Sequence, residues 1–418
     1  MAASRRAFLA SAAALAAGAA LSACGTARPG SGGPTTLVLA GTGQPSLFAQ
    51  MIPTFEAQHP GVHVRWGLTT LSAATTVRDQ MLASVGPDVL WVSDPDPYLQ
   101  AGLLLPLNPL VQRSAYSLAD FPAQLRGALT RRGQLYGLPR SAATGAYLLN
   151  VGLVNAVRGV VPGPTYTADD MASLWNTLTR GGVVGGELDW SPQASFYFNG
   201  WGGHLVDPAD DRRCLLASAA AEACGTWMYA RLRSDGSAQG LQGQHSTARF
   251  RTGGLAMKVV SASNVLAAVG AAGNIAWTIL PFPVWPGGPA TFVDMDAYAI
   301  AATTHAPEAA WELLQFISSP AWQQAVMENA PVPPARLQLW PAYLHILETA
   351  APPLQGRGLQ AFSDPLTQGW AFPPERFHDN TAAMTVLDRY WQQIYAPQGQ
   401  LSVAKGFSAA AAAVDASQ

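Results

Sequence analysis

Short apolar strands alternate with helical patterns through the first hundred residues, and this alternation restricts the fold more than any other feature. Leu37-Val38-Leu39-Ala40 is an apolar run of strand length that breaks at Gly41-Thr42-Gly43-Gln44. Leu47, Phe48, Met51, Ile52 and Phe55 then recur at helical spacing until Pro60-Gly61. Val62, Val64 and Trp66 alternate with His63 and Arg65, and Val89-Leu90-Trp91-Val92 forms a third apolar run. Strands separated by helices are joined by crossovers, so the pattern predicts an α/β fold with a parallel sheet.

The same reading continues downstream. A turn and short strand fall at Gly133–Pro139, and strands at Ala146–Asn150, Leu255–Val260, Ile275–Leu280 and Ala297–Ala301. Thr167-x-x-Asp170 has the spacing of a capping box and opens a helix through Leu178. Pro307 and Ser319-Pro320 each start a helix, and the Ala409–Ala413 run is too short to span a bilayer and is read as a docked helix. Pro281–Pro289 is read as irregular crossing chain.

A length of 418 residues suits two lobes rather than one core. Charged residues are only 12% and the net charge is −2, with two lysines, Lys258 and Lys405. Nucleic acid is excluded as a partner on that balance, because phosphate binding needs a clustered basic surface. At the N-terminus, Ser4-Arg5-Arg6-Ala7-Phe8-Leu9, an apolar run and Leu21-Ser22-Ala23-Cys24 resemble a bacterial twin-arginine export signal ending in a lipobox. That resemblance implies removal of residues 1–23, lipid on Cys24, a flexible spacer over 24–36 and a body held outside the cytoplasmic membrane. Cys214 and Cys224 remain as an even pair in a disulfide-permissive compartment, either bonded or as two buried thiols.

Several stretches in order resemble the extracellular solute-binding proteins that serve ATP-driven sugar importers. They include Ile52-Pro53-x-Phe55-Glu56-x-x-x-Pro60-Gly61-Val62, Ala101-Gly102-Leu103-Leu104-x-Pro106-Leu107, Tyr136-Gly137-Leu138-Pro139 and Pro307-Glu308-Ala309-Ala310-Trp311-x-x-Leu314-x-Phe316-Ile317. The resemblance implies a two-lobe periplasmic-binding-protein fold of type II, closing like a clamshell. Residues 37–141 with 283–330 would form the first lobe and 142–282 with 331–418 the second. Crossings would lie near Ser141–Gly145, Leu280–Pro283 and Pro331–Pro334. It further implies a monomer that captures a carbohydrate, an oligosaccharide or polyol, and passes it to the transmembrane subunits of an ABC permease.

Ligands of open α/β sheets bind beyond the carboxyl ends of strands, which nominates Gln44 and Asp94. Asp94 can accept from two sugar hydroxyls or cap the helix that begins near Pro95. Arg140 offers a planar fork to hydroxyls or acids, or else an interlobe ion pair. Trp201 is flanked by glycines and presents a flat surface for a sugar's C–H face. Trp285, on a proposed crossing, is a further candidate. By the resemblance, Thr144 and Trp370 occupy contact positions. Asp294-Met295-Asp296 departs from the family pattern, adds hydroxyl acceptors and opposes an anionic ligand.

No catalytic residue, metal or cofactor is assigned. There is no HExxH, GxxxxGK[ST] or GxSxG, and Pro60-Gly61 keeps His59 and His63 off one helix face. A binding protein for glycerol phosphate or another non-sugar solute is the alternative within the class. A secreted glycoside hydrolase using two carboxylates, such as Asp94 and Asp294, is the alternative outside it.

Overall fold

The computed structural model of the protein describes residues 34–69, 74–189, 191, 194–240 and 244–418. The expected export signal, the lipid site at Cys24 and most of the spacer lie outside the described residues. The opening alternation builds the parallel ladder it predicts. Strand β1 (Thr35–Gly41) pairs in parallel with β2 (Val62–Leu68) and with β3 (Val89–Val92). The helix Pro45–Gln58 crosses between the first two and buries Leu47, Phe48, Ile52 and Phe55, the helical-spaced residues, against them. Proline is tolerated at its start because a first-turn N–H has no intrahelical acceptor to lose.

Two long strands set the architecture. Strand β4 (Leu138–Asn150) is buried along its whole length. Its C-terminal half pairs with β5 (Met257–Ser261) and β6 (Trp277–Leu280), and its N-terminal half with β7 (Thr291–Ile300), all antiparallel. Strand β7 also pairs with β3 through Ala297–Ile300 and with the short parallel β8 (Ala371–Phe372). The eight strands form one sheet in the order β5-β4-β7-β3-β1-β2, with β6 and β8 added at its sides.

Separate cores lie at the two ends of this sheet. Leu138 of β4 and Tyr298 of β7 pack with Leu39, Phe55 and Trp322 in the first lobe. Tyr147 and Leu149 of β4 pack with Trp175, Phe198 and Trp391 in the second, and Phe292 of β7 lies against them. The lobes are therefore joined by continuous strands, stiffer than loops. A third link passes at Pro331–Pro334, where the Ala142 N–H donates to Pro333 O at 3.2 Å.

The stretch after β6 packs inward. Phe282 and Trp285 pack into the second core, Trp285 standing edge-on to Tyr197 at 5.4 Å. Two large rings in a proline-rich stretch carry it inward, where Val284–Trp285 and Gly288–Pro289 form a small hairpin. The passage back is made in β7, whose Val293–Asp296 pair with Thr144–Ser141. Ala290 lies in that second core and Phe292 packs against it.

Cys214 and Cys224 are separate buried thiols, so the disulfide among the two expectations is not formed. Cys214 ends the strand Asp210–Cys214 and Cys224 lies on the inner face of the helix Ala219–Tyr229. Burial pushes the Cys214 thiol up to about 12 and that of Cys224 up as well. Both act as small apolar core residues. The capping box forms as its spacing predicts: Asp170 N–H donates to Thr167 Oγ1 at 3.1 Å and Thr167 N–H to Asp170 Oδ2 at 2.9 Å. The alanine-rich helix Val403–Asp415 docks on the second lobe, with Phe407 stacked on Trp391 at 5.2 Å.

Candidate functional site

A cleft of about 1540 Å³ opens between the lobes. Its floor is the middle of β4 and β7, and strand periodicity decides which side chains reach it. Ala143 lies opposite Asp294 and Ser141 opposite Asp296, so these four share one face of the sheet, and all line the cleft. Ala142, Thr144 and Val293 are the intervening residues and point to the other face. The register slips between Asp296 and Ala297, which leaves Arg140 as an extra residue in β4. Such a bulge re-aims a side chain, and here Arg140 joins Ser141 on the cleft face. Both donate to Asp296 Oδ2, Arg140 Nη1 from 3.4 Å and Ser141 Oγ from 3.2 Å.

The first lobe contributes Thr42 and Gly43 after β1 and Ser93 and Pro95 after β3, at the carboxyl ends of parallel strands. The second lobe contributes Asn199 and His204 around the end of the helix Phe196–Gly200, and the segment from Phe372 to Arg376. Glu375 anchors this wall. Its carboxylate pairs with His204 Nδ1 at 2.7 Å and accepts from Asn199 Nδ2 at 2.7 Å and from the Leu205 and Val206 N–H groups at 2.6 and 2.8 Å. That hydrogen bond raises the His204 imidazole above its usual range, against the effect of burial.

One rim is clasped across the lobes. Arg376 of the second lobe pairs with Asp94 at 2.8 Å and lies 3.8 Å from Asp96, which also pairs with Arg131 at 2.8 Å. Gln100 Nε2 donates to His378 O at 2.5 Å beside them.

Asp294 is the exposed acid at the centre of the floor. The cleft walls restrict water around it and raise its carboxyl to about 6, with the charges of Asp189 and then Asp296 adding to the effect. Asp189 follows the strand Gly186–Leu188, and burial raises its own carboxyl despite the Ser191 N–H that donates to it at 3.0 Å.

Of the residues nominated from sequence, Arg140, Asp294 and Asp296 meet on the floor. Asp94 stands at the rim, where it accepts from the Asp96 N–H at 3.1 Å and holds Arg376. Gln44 is exposed beside the cleft, its Nε2 donating to Asn329 O at 3.1 Å, while its neighbours Thr42 and Gly43 face inward. Thr144 is fully buried on the opposite face of β4 and donates its hydroxyl to Phe362 O at 2.5 Å. Trp285 is 1% exposed and bonds Ala290 O through Nε1 at 3.0 Å.

The ring of Trp201 packs toward the second core, 6.5 Å from Trp227. Its flanking glycines serve close packing and leave the ring no freer: a Cβ on Gly200 would meet the Trp285 ring at 2.5 Å, and Gly202 sits under Gly287 with φ of +76°. Trp370 meets β7 through its carbonyl, which accepts from Thr291 N–H at 3.2 Å. No tryptophan lines the cleft among the described residues; Phe372 is its aromatic residue.

Sequence reasoning missed Ser141, Asp189, Asn199, Glu375 and Arg376. Asp189 follows the carboxyl end of a strand and would have been found had the three-residue strand been recognised. The others are brought in by tertiary folding. Among the described residues no three carboxylates, imidazoles or thiols converge closely enough to hold a metal ion, and no helix is long and apolar enough to cross a membrane.

Solved structures share this fold. An ABC substrate-binding protein from Listeria monocytogenes in complex with cycloalternan is 16% identical, with a TM-score of 0.73 over 92% of this chain and 98% of that one. A cyclo/maltodextrin-binding protein complexed with maltotetraose is 18% identical, with a TM-score of 0.74 over 93% and 98%. A sugar transporter from Rhizobium etli in an open conformation is 18% identical, with a TM-score of 0.75 over 92% and 100%. No curated protein matches the chain in sequence. The family model for the bacterial extracellular solute-binding protein matches residues 40–324, more than half of the chain. With two lobes joined by continuous strands around an open cleft, the chain belongs to the bacterial extracellular solute-binding protein family.

Proposed function

We propose that this protein is the substrate-binding component of an ABC importer and captures a carbohydrate, an oligosaccharide or polyol, between its lobes. The observation that carries this reading is the cleft, about 1540 Å³ and floored by Arg140, Ser141, Asp294 and Asp296. That volume exceeds the ~300–1,000 Å³ of pockets for drug-sized molecules, which suits more than one sugar ring. The structural relatives solved with cycloalternan and maltotetraose support the same class. An anionic solute is disfavoured, because Arg140 is engaged by Asp296 and Asp294 adds negative charge.

In this proposal the ligand is held through hydroxyl groups, without chemistry, and the permease receives the closed form. A ligand shifts the lobes toward closure only by binding that form better. Cys24 carries lipid after export, and the protein works as a monomer on the outer face of the cytoplasmic membrane.

A thermal-shift screen of the purified protein against mono- and oligosaccharides, polyols and sugar phosphates, with the ligand recovered afterwards, tests the reading. Stabilisation by a sugar returned intact is expected, since ligand that binds only the native state raises apparent stability. Stabilisation by sugar phosphates alone would replace it with the anionic reading. Cleavage of a glycoside would make Asp294, with its raised pKa, a catalytic acid.

A further inference from the structure

The charges around the cleft do not balance at its centre. Three arginines of the cleft are committed to carboxylates: Arg131 to Asp96, Arg140 to Asp296 and Arg376 to Asp94. Arg132, exposed at a tight turn, is the cleft arginine with no ion pair among the described residues. Asp294 makes no hydrogen bond or ion pair among those residues, and its nearest charged influences are two further acids, Asp189 and Asp296. Of these three acids, only Asp296 has a cation of its own among the described residues. An acid left open on the floor of a cleft, facing a second acid, lacks a positive partner.

Unused polar atoms point the same way. Arg140 is 6% exposed, and its Nε is buried without a hydrogen-bond partner although the side chain lines the cleft. Asn199 Oδ1 and Gln124 Nε2, also in the cleft walls, are buried and unpaired. Buried polar groups are nearly always satisfied, and these are shut off from solvent here, so an occupant with groups of both kinds would meet them only as the cleft walls shift around it. Sugar hydroxyls meet that need but leave Asp294 uncompensated. An ammonium on the sugar would satisfy it, because a charge-assisted bond to a carboxylate in a shielded cleft is stronger than a neutral one.

Building on the carbohydrate reading, we infer that the cleft selects an amine-bearing sugar, whose ammonium is held by Asp294 with Asp189 as the neighbouring acid. The raised carboxyl of Asp294 accords with this, since an unpaired acid near two others is one that a bound cation would return toward its ordinary range.

The test is calorimetric titration of the purified full-length protein with three length-matched ligands: a β-1,4-linked glucosamine trisaccharide, its fully N-acetylated counterpart and maltotriose. The glucosamine trisaccharide should bind roughly tenfold or more tightly than either neutral ligand at pH 7, as one charge-assisted bond implies. Its advantage should shrink toward pH 5, where Asp294 of the ligand-free protein is protonated and must release that proton to hold the ammonium. Asp294→Asn should remove the preference and its pH dependence together. The three-ligand comparison on the wild-type protein needs no variant, so a misfolded Asp294→Asn would not blunt it. Equal or tighter binding of a neutral trisaccharide across pH 5–8, or no binding of the amine ligand, would overturn the inference while leaving the carbohydrate reading intact. Failure of every carbohydrate in the thermal-shift screen would overturn both.

Discussion

Asp294 shows how one residue takes its properties from its surroundings. Its carboxyl rises from an ordinary 3.8 to about 6 because the cleft walls hinder hydration of the anion and two other acids repel it. An acid with a raised folded pKa binds its proton more tightly when folded. Its contribution to stability is therefore present at low pH and is lost as pH climbs through this range. The ligand-free protein should melt at a lower temperature at pH 7.5 than at pH 5, and Asp294→Asn should recover part of that loss at pH 7.5 with little effect at pH 4.5. Scanning calorimetry across pH checks both. Sequence reading found Asp294 and Asp296 because paired acids before Tyr298-Ala299-Ile300 are conspicuous. It had no means of orienting Trp201, Trp285 and Thr144, because an apolar ring or a small hydroxyl carries no mark of which way it faces.

At the scale of elements, the site depends on parity and on one bulge. A strand shows alternate residues to each face, so shifting β4 against β7 by one residue would replace Ser141 and Ala143 with Ala142 and Thr144 in the cleft. The bulge at Arg140 brings a cation to the floor that strict alternation would have turned away. Beside the Ala142–Pro333 backbone bond, one side-chain amide ties the third interlobe link to β4. Gln323, 2% exposed, donates to Pro139 O at 3.2 Å and accepts the Ala335 and Arg336 N–H groups at 3.0 and 3.2 Å. Gln323→Ala would leave those backbone groups buried and unpaired. The expected loss is about 2–4 kcal/mol, at the cost of roughly 1–3 kcal/mol for an orphaned group, measured by chemical denaturation.

For the whole molecule, the balance between open and closed lobes is the functional coordinate, and the rim clasp bears on it. Arg376 with Asp94 and Asp96, and Gln100 with His378 O, draw the lobes together on one side. Partial exposure keeps such a pair near ~1 kcal/mol. Arg376→Ala should therefore shift ligand-free protein toward the open form by roughly fivefold, seen as a larger radius of gyration in small-angle scattering. An unchanged radius would show that the clasp does not hold the lobes. The α/β class, the parallel β1–β2–β3 ladder, the capping box at Thr167 and the two-lobe plan followed from periodicity, capping residues and ordered motifs, all of them local signals in the chain. The free thiols, the burial of Thr144 and Trp285 and the unpaired acid on the floor did not. Each depends on which distant surfaces meet, and that is decided only when strands pair in one register and large rings compete for the same core.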